Sequence, residues 1–465
     1  MSDPAAGQAF LDRVRERLPD LALLLDPLER EAHRRDETAY LAPGLPLAVA
    51  LPETTAEVAG LVRLAAEHRL PVVARGAGTG LSGGAAGIEG GLTIVFTRMN
   101  RILEIDRENL VAVVQPGIVN AALKAAVAEH GLFYPPDPAS YEQCTIGGNL
   151  GTNAGGLCCV KYGQTRDSVL GLEVVLADGT VMRTGGRNIK DVAGYALTQL
   201  FVGSQGTLGL ITEATLRLRP APPPRSTLLA FFGTLEAAGA AVSGMTAAGL
   251  GLVTLELMDR VTIAAVDDWH HLGLDREAAA MLMVESDLPG TGASDELDRA
   301  QAACERAGAT LIVRAADAAE ADWLRQGRRM AYHALERLGV ARMEDVGVPR
   351  SQVPAMLRAI EAIGERYGVT IGTFGHAGDG NLHPTFVFER DDLTAAATTE
   401  AARGDLYRAA IALGGTVTAE HGVGVVRRDY LVEQVGPDAV RVMRAIKAAL
   451  DPLGILNPGR VLPPA

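Results

Sequence analysis

Arg75-Gly76-Ala77-Gly78-Thr79-Gly80-Leu81-Ser82-Gly83-Gly84 is the stretch that decides how this chain folds. It follows a short apolar run, Leu70–Ala74, that reads as a strand. It contains Gly78-x-Gly80-x-x-Gly83, the literal spacing of a Rossmann dinucleotide turn. Such a turn should open a helix. Here Ala85-Ala86-Gly87-Ile88-Glu89-Gly90-Gly91 continues in glycine instead, so a Rossmann unit is rejected. What remains is backbone chemistry: successive N–H groups with no Cβ in the way can wrap a pyrophosphate.

Two further tracts of the same kind follow. Pro135-Pro136-Asp137-Pro138-Ala139-Ser140 leads to Gly147-Gly148-Asn149-Leu150-Gly151-Thr152-Asn153-Ala154-Gly155-Gly156, and Gly203-Ser204-Gln205-Gly206-Thr207-Leu208-Gly209 enters a strand. Small residues, amides and hydroxyls in three tracts suit the lining of an extended cofactor better than flexible surface.

Outward from the tracts, Thr54-Thr55-Ala56-Glu57 is a capping box ahead of a helix whose apolar face is Val58, Leu61, Val62 and Ala65. Strands are expected at Leu92–Phe96, Val111–Gln115, Leu172–Ala177 and Leu208–Leu218. Arg219-Pro220-Ala221-Pro222-Pro223-Pro224 breaks every pattern and marks a domain boundary. Beyond it, strands at Thr227–Phe232, Leu252–Leu257 and Met281–Glu285, with helices between, suggest an α+β domain on an antiparallel sheet. Residues 1–45 are charged and helical in pattern.

The chain has 465 residues, 48% hydrophobic and 21% charged, which is a soluble multidomain composition. A net charge of −13 without a basic stripe argues against nucleic acid as a partner. Cys144, Cys158, Cys159 and Cys304 form no disulfide framework, and reduced thiols point to the cytoplasm. Met1-Ser2-Asp3-Pro4 opens no secretory signal, and no apolar run is long enough to span a membrane.

A second informative stretch is Gly375-His376-Ala377-Gly378-Asp379-Gly380-Asn381-Leu382-His383, between strands expected at Val369–Phe374 and Leu382–Phe388. Glu420-His421 follows inside Thr418–Gly424. Imidazoles and a carboxylate are the ligands a borderline divalent ion takes when one position stays open. A zinc hydrolase would use the same groups, but it leaves the glycine tracts without a task.

Taken together, Arg75–Gly84, Pro136–Ser140, Gly147–Gly156 and Gly203–Ile211 resemble the flavin-binding domain of vanillyl-alcohol-oxidase-like (PCMH-type) flavoproteins. Gly375–His383, Glu420-His421-Gly422 and Asn457-Pro458-Gly459 resemble its D-2-hydroxy-acid dehydrogenase branch, which includes D-lactate and glycolate dehydrogenases. The resemblance runs from about residue 46 to 463. It implies an α+β fold: a two-subdomain FAD-binding domain (46–220), an α+β substrate or cap domain with an antiparallel sheet (221–430), and a C-terminal helical segment returning to the FAD domain (431–465), preceded by the N-terminal helical arm (1–45) read from its pattern.

The resemblance also implies roles. FAD would be held by Arg75, Gly76, Ala77, Gly78, Thr79, Gly80, Ser82, Pro136, Asp137, Ser140, Gly147, Gly148, Asn149, Thr152, Asn153, Gly155, Gly206, Ile211 and Asn457. No histidine lies among residues 70–90, so the flavin is expected to be non-covalent. His376, His383 and Glu420 match the metal positions, with zinc ahead of manganese and iron, and His421 matches the base. Among Arg325, Arg328 and Arg329, the family pattern favours Arg328, with Tyr332, for the substrate carboxylate. Relatives that take longer dicarboxylates carry a lysine where Met343 stands, two residues before Asp345, which argues for a smaller or more apolar acid.

The implied activity is FAD-dependent, metal-assisted oxidation of a D-2-hydroxy acid such as D-lactate or glycolate. Alternatives are the FAD subunit of a multi-subunit glycolate oxidase, or another flavin oxidase of the superfamily. The electron acceptor is left open among a quinone, a cytochrome, an electron-transfer flavoprotein and an iron–sulfur subunit. A homodimer and peripheral membrane contact are both compatible with the sequence.

Overall fold

The computed structural model describes residues 4–38, 40–390 and 392–464. Residues 1–3, where the absence of a signal is read, lie outside them. The chain divides into two compact units: Met1–Gly155, Gly163–Ala221 and Glu420–Ala465 form the first, and Gly156–Tyr162 with Pro222–Ala419 form the second.

The first unit carries two main sheets. In one, Ala22–Leu24, Ala48–Leu51, Leu92–Val95 and Val72–Arg75 lie side by side in that order. The last three are parallel, and the helix Thr55–Glu67 supplies the crossover, with its capping box formed at Thr54 and Glu57. Val58, Leu61, Val62 and Ala65 are buried against Val72, Leu92 and Ile94, so the helix stripe and the strand interiors close one core. The second sheet is antiparallel, in the order Ile102–Asp106, Val111–Val114, Leu210–Arg217, Val169–Val175, Val181–Gly185.

The N-terminal arm corrects the helical expectation. Helices occupy only Pro4–Arg17 and Pro27–Ala32, while Ala22–Leu24 is a strand paired with Val49–Leu51. The apolar run Leu21–Leu25 satisfies its backbone on a sheet edge, and Pro27 starts a fresh helix at its first turn.

The second unit is built on a long antiparallel sheet in the order Ala309–Arg314, Ser226–Phe232, Ala280–Ser286, Thr254–Asp259, Thr370–His376, Asn381–Phe388, Val340–Met343. The short strand Val346–Gly347 also pairs with Asn381–Phe388. Helices Leu235–Ala247 and Gly292–Arg306 pack on strands Ser226–Phe232 and Ala280–Ser286, whose apolar residues Leu228, Ala230 and Val284 are buried, and Val353–Tyr367 packs on the first of these helices and on Thr370–His376.

The units divide at Ala419/Glu420 rather than near 430, and Gly156–Tyr162 joins the second unit. Local contacts explain both. Lys161 and Tyr162 are bonded to Asp287, and Thr416 ladders with Gly347. Val425 N–H donates to the Ser82 carbonyl.

Candidate active site

In the first unit the three glycine tracts converge. Strand Val72–Arg75 delivers the first tract, and Gly76 packs so closely on Thr145 that a Cβ there would collide with its hydroxyl. Thr145 caps the helix Ile146–Thr152, accepting from Gly148 N–H at 3.2 Å. The third tract closes on the same helix, with Gln205 N–H donating to Gly151 O at 2.8 Å and Gly203 N–H to Leu150 O at 2.8 Å. Gly78 and Gly206 adopt φ of 86° and 70°, a backbone region costly for any residue with a Cβ.

The arm and tail brace this cradle. Thr38 Oγ1 accepts from Gly83 N–H at 2.8 Å, Arg460 donates to the Gly83 and Ala86 carbonyls at 2.9 Å each, and Asn457 Nδ2 donates to Gly84 O at 2.8 Å. Burial pushes the Asp36 carboxyl up and the Arg75 guanidinium down from their ordinary values, each partly offset by the other's charge.

Several of the expected cofactor residues also make bonds within the scaffold. Asn149 accepts from Asn120 at 3.0 Å and donates to Cys144 Sγ at 3.2 Å, while Asn153 caps its helix and bonds Gln164 and Arg166. Thr152 Oγ1 bonds the Gly148 carbonyl, and Ile211 pairs with Val174 inside the sheet. Pro136 offers its carbonyl to Asn120, Asp137 is buried, and the Ser140 carbonyl accepts from Gln143 and Cys144.

In the second unit, register puts Glu256, Phe374, His376, Asn381 and His383 on one face. Met258 lies opposite Phe374, Phe374 opposite His383, and His376 opposite Asn381, which sets Glu256 beside His376. The two imidazoles meet edge to face with centroids 5.2 Å apart. His376 Nδ1 lies 2.7 Å from Glu256 Oε1, and Arg328 Nη2 lies 2.5 Å from Glu256 Oε2 with its guanidinium over the Phe374 ring. The polar side chains named here, Glu256, Arg328, His376, Asn381 and His383, are all buried.

A carboxylate accepting at Nδ1 makes that nitrogen the protonated one, so Nε2 carries the lone pair. Asp345 works alongside, accepting from Asn381 Nδ2 at 2.8 Å, with His383 Nδ1 at 3.8 Å. Carboxylates and imidazoles are ligand types that a divalent cation takes, whereas the Arg328 guanidinium is the counter-charge of Glu256. Arg328 lies in the helix Ala318–Arg329 and Tyr332 in the next, Ala331–Glu336, with a break at Met330; the Tyr332 hydroxyl faces the Ala341 carbonyl at 3.5 Å.

Glu420 and His421 open the returning segment of the first unit, with His421 Nε2 and Glu420 Oε1 3.5 Å apart. The residues just before them, Thr418 and Ala419, bond Asp345 at 2.6 and 2.9 Å within the second unit. Just after them, Gly422 and Gly424 have positive φ, and Gly424 N–H donates to Gln205 Oε1 at 2.8 Å.

Residues 46–185 match the model of an FAD binding domain, and residues 221–461 match that of the C-terminal domain of FAD linked oxidases. The chain belongs to the FAD-linked oxidase family. It is 46% identical over 418 residues to glycolate oxidase subunit GlcD of Bacillus subtilis strain 168, covering 90% of this chain and 89% of that protein. Against the D-lactate dehydrogenase of Archaeoglobus fulgidus it is 36% identical over 439 residues, 93% and 96% of the two chains. The fold is shared with p-cresol methylhydroxylase (TM-score 0.80, 18% identity, 99% and 98% coverage) and with 4-ethylphenol oxidase from Gulosibacter chungangensis (0.78, 20%, 99% and 97%).

The cradle of this FAD-linked oxidase fits the cofactor of its family. A Cβ on Gly151 would meet nothing within 4 Å, and one on Gly80 only Asp36 Oδ2 at 3.8 Å, so bare backbone borders open space. Asn457 Oδ1 is buried without a hydrogen-bond partner among the described residues. A diphosphate beside Arg75 would supply negative charge that burial makes scarce. Glu256, Gln205, Thr38 and Arg460 escaped the sequence reading. Two of them left a signal there: Glu256 as a lone charge in the apolar run Val253–Met258, and Gln205 as a member of the third glycine-rich tract.

Proposed function

We propose that this FAD-linked oxidase oxidises a D-2-hydroxy acid of the glycolate or D-lactate type to the 2-oxo acid. The observation that carries the proposal is the buried His376–Glu256–Arg328 constellation, which sets an oriented imidazole beside a cation able to grip a carboxylate. The names of the relatives, a glycolate oxidase subunit and a D-lactate dehydrogenase, support the same substrate class.

His376, His383 and Glu420 would hold a divalent ion, zinc ahead of manganese and iron. Arg328 orients the substrate carboxylate, its plane fixed by Glu256 and Phe374. His421 takes the hydroxyl proton as the carbon–hydrogen bond is broken. FAD, when bound, would supply the hydride acceptor, and an ion held by His376, His383 and Glu420 would lower the cost of charge on the alcohol oxygen. The flavin is held non-covalently, since residues 70–90 contain no histidine.

A second reading has specific support: the Bacillus subtilis relative is named as a subunit. On that reading the chain passes its electrons to a partner protein, such as an iron–sulfur subunit. No helix among the described residues is long and apolar enough to cross a membrane.

Chelation tests the metal assignment. Dialysis against a strong chelator should abolish turnover of D-lactate and glycolate while the protein stays yellow, and zinc, manganese or iron should restore it. Full turnover in metal-free protein would remove the ion from the mechanism.

A further inference from the structure

The structure assigns to Gln205 the role of a positioning residue that fixes the His421 segment against the flavin cradle. This rests on the reading of His421 as the base. Gln205 is buried, and its φ of 51° is a conformation that a residue with a Cβ holds only where its surroundings demand it. Four bonds impose that demand, each to a different part of the first unit. Its N–H donates to Gly151 O of the second tract at 2.8 Å. Its carbonyl accepts from Asn457 Nδ2 of the C-terminal tail at 2.7 Å. Its Nε2 donates to Ser82 Oγ of the first tract at 3.1 Å. Its Oε1 accepts from Gly424 N–H, three residues beyond His421, at 2.8 Å.

The orientation of the carboxamide follows from chemistry, because only its oxygen can accept from the Gly424 amide. Glycine makes the contact possible. A Cβ on Gly422 would lie 2.8 Å from Gln205 Nε2, and one on Gly84 2.7 Å from it. A Cβ on Gly424 would run into the Ser82 carbonyl. The segment Gly422–Gly424 is thus pressed onto the first tract with Gln205 as the wedge, and Val425 N–H to Ser82 O at 2.8 Å is its companion bond. Two glycines at positive φ make an intrinsically soft backbone, so the position of His421 depends on these bonds. A base displaced by about 1 Å loses on the order of 100-fold in rate.

The test uses FAD-loaded full-length protein carrying Gln205→Ala, Gln205→Met or Gln205→Glu. Three quantities are read: FAD per chain after gel filtration, complete reduction by dithionite, and anaerobic flavin reduction by D-lactate and glycolate resolved into limiting rate and half-saturation. Alanine and methionine should keep FAD and dithionite reduction while the limiting rate falls ~10–100-fold, with half-saturation within about threefold. Methionine fills the volume but offers only a weak thioether acceptor and no donor, so its agreement with alanine separates hydrogen bonding from packing.

Glutamate should restore the rate, since a carboxylate oxygen accepts from Gly424 and the Ser82 hydroxyl can turn to donate. A wild-type limiting rate in the methionine variant, or loss of FAD in step with loss of rate, overturns the inference; if alanine fails to fold, methionine decides. Wild-type flavin that no 2-hydroxy acid reduces overturns the parent reading, and this inference with it.

Discussion

At the scale of single residues, the candidate site separates groups that would touch the ion or substrate from groups that hold them. His376→Ala should cost the metal and with it turnover, while His421→Ala should keep the metal and lose ~10²–10⁴-fold in rate. Metal analysis of the two purified variants checks this, and loss of metal in both would show that base and ligand had been confused. Glu256→Gln should retain FAD but weaken metal binding ~10–100-fold, because the amide can present its N–H₂ to His376 and favour the other tautomer. Competition with a chromogenic chelator reads that directly, and unchanged affinity would leave Glu256 a role only in packing.

Asp259 gives a pH dependence. Complete burial pushes its carboxyl up to about 6, despite bonds from the Thr262 and Thr373 amides. Since the folded value lies above the unfolded one, protonation favours the fold, and this contribution is lost as pH rises through about 6. Relative to Asp259→Asn, the wild type should therefore lose about 1–2 kcal/mol between pH 5 and pH 8 in paired denaturant unfolding. A gap that widens in favour of aspartate would contradict the assignment.

At the scale of elements, local chemistry was read well where period and capping agree. The capped helix Thr55–Glu67 follows its box, and the strands flanking the histidine loop, Thr370–His376 and Asn381–Phe388, lie within a few residues of expectation. The helix Leu393–Ala412 escaped notice because its alanines surround the cylinder and leave no stripe to recognise. The edge strand Ala309–Arg314 is short and mostly exposed, so it lacks a strong apolar alternation. Glu256 beside His376 depends on pairing across 120 residues, which no local pattern encodes. Gln205 was visible only as one member of a glycine-rich tract. An element-scale prediction follows from the helix Ile146–Thr152, where Gly151 borders open space. Gly151→Ala should leave the apoprotein as stable or up to about 1 kcal/mol more so, because alanine favours helix, yet lower the FAD retained after gel filtration. Full FAD in this variant would mean that the cofactor does not run along that helix.

At the scale of the whole molecule, the residues assigned to the proposed reaction are drawn from both compact units of the chain. The first supplies the flavin cradle and the Glu420–His421 segment, and the second supplies His376, His383 and Arg328. The chain crosses between them at Ala419/Glu420, where residues bonded to Asp345 lead into residues bonded to Gln205. If the chain works within a larger complex, its reductive half-reaction should still proceed alone, since every group assigned to it lies in this polypeptide. The most direct measurement is anaerobic mixing of the FAD-loaded protein with glycolate, D-lactate, L-lactate and a D-2-hydroxydicarboxylate, followed at the flavin absorbance. Bleaching by glycolate or D-lactate, with L-lactate and the dicarboxylate much slower, is the result expected. A flavin that stays oxidised with all four, or that bleaches equally with both lactate enantiomers, would contradict the proposed function.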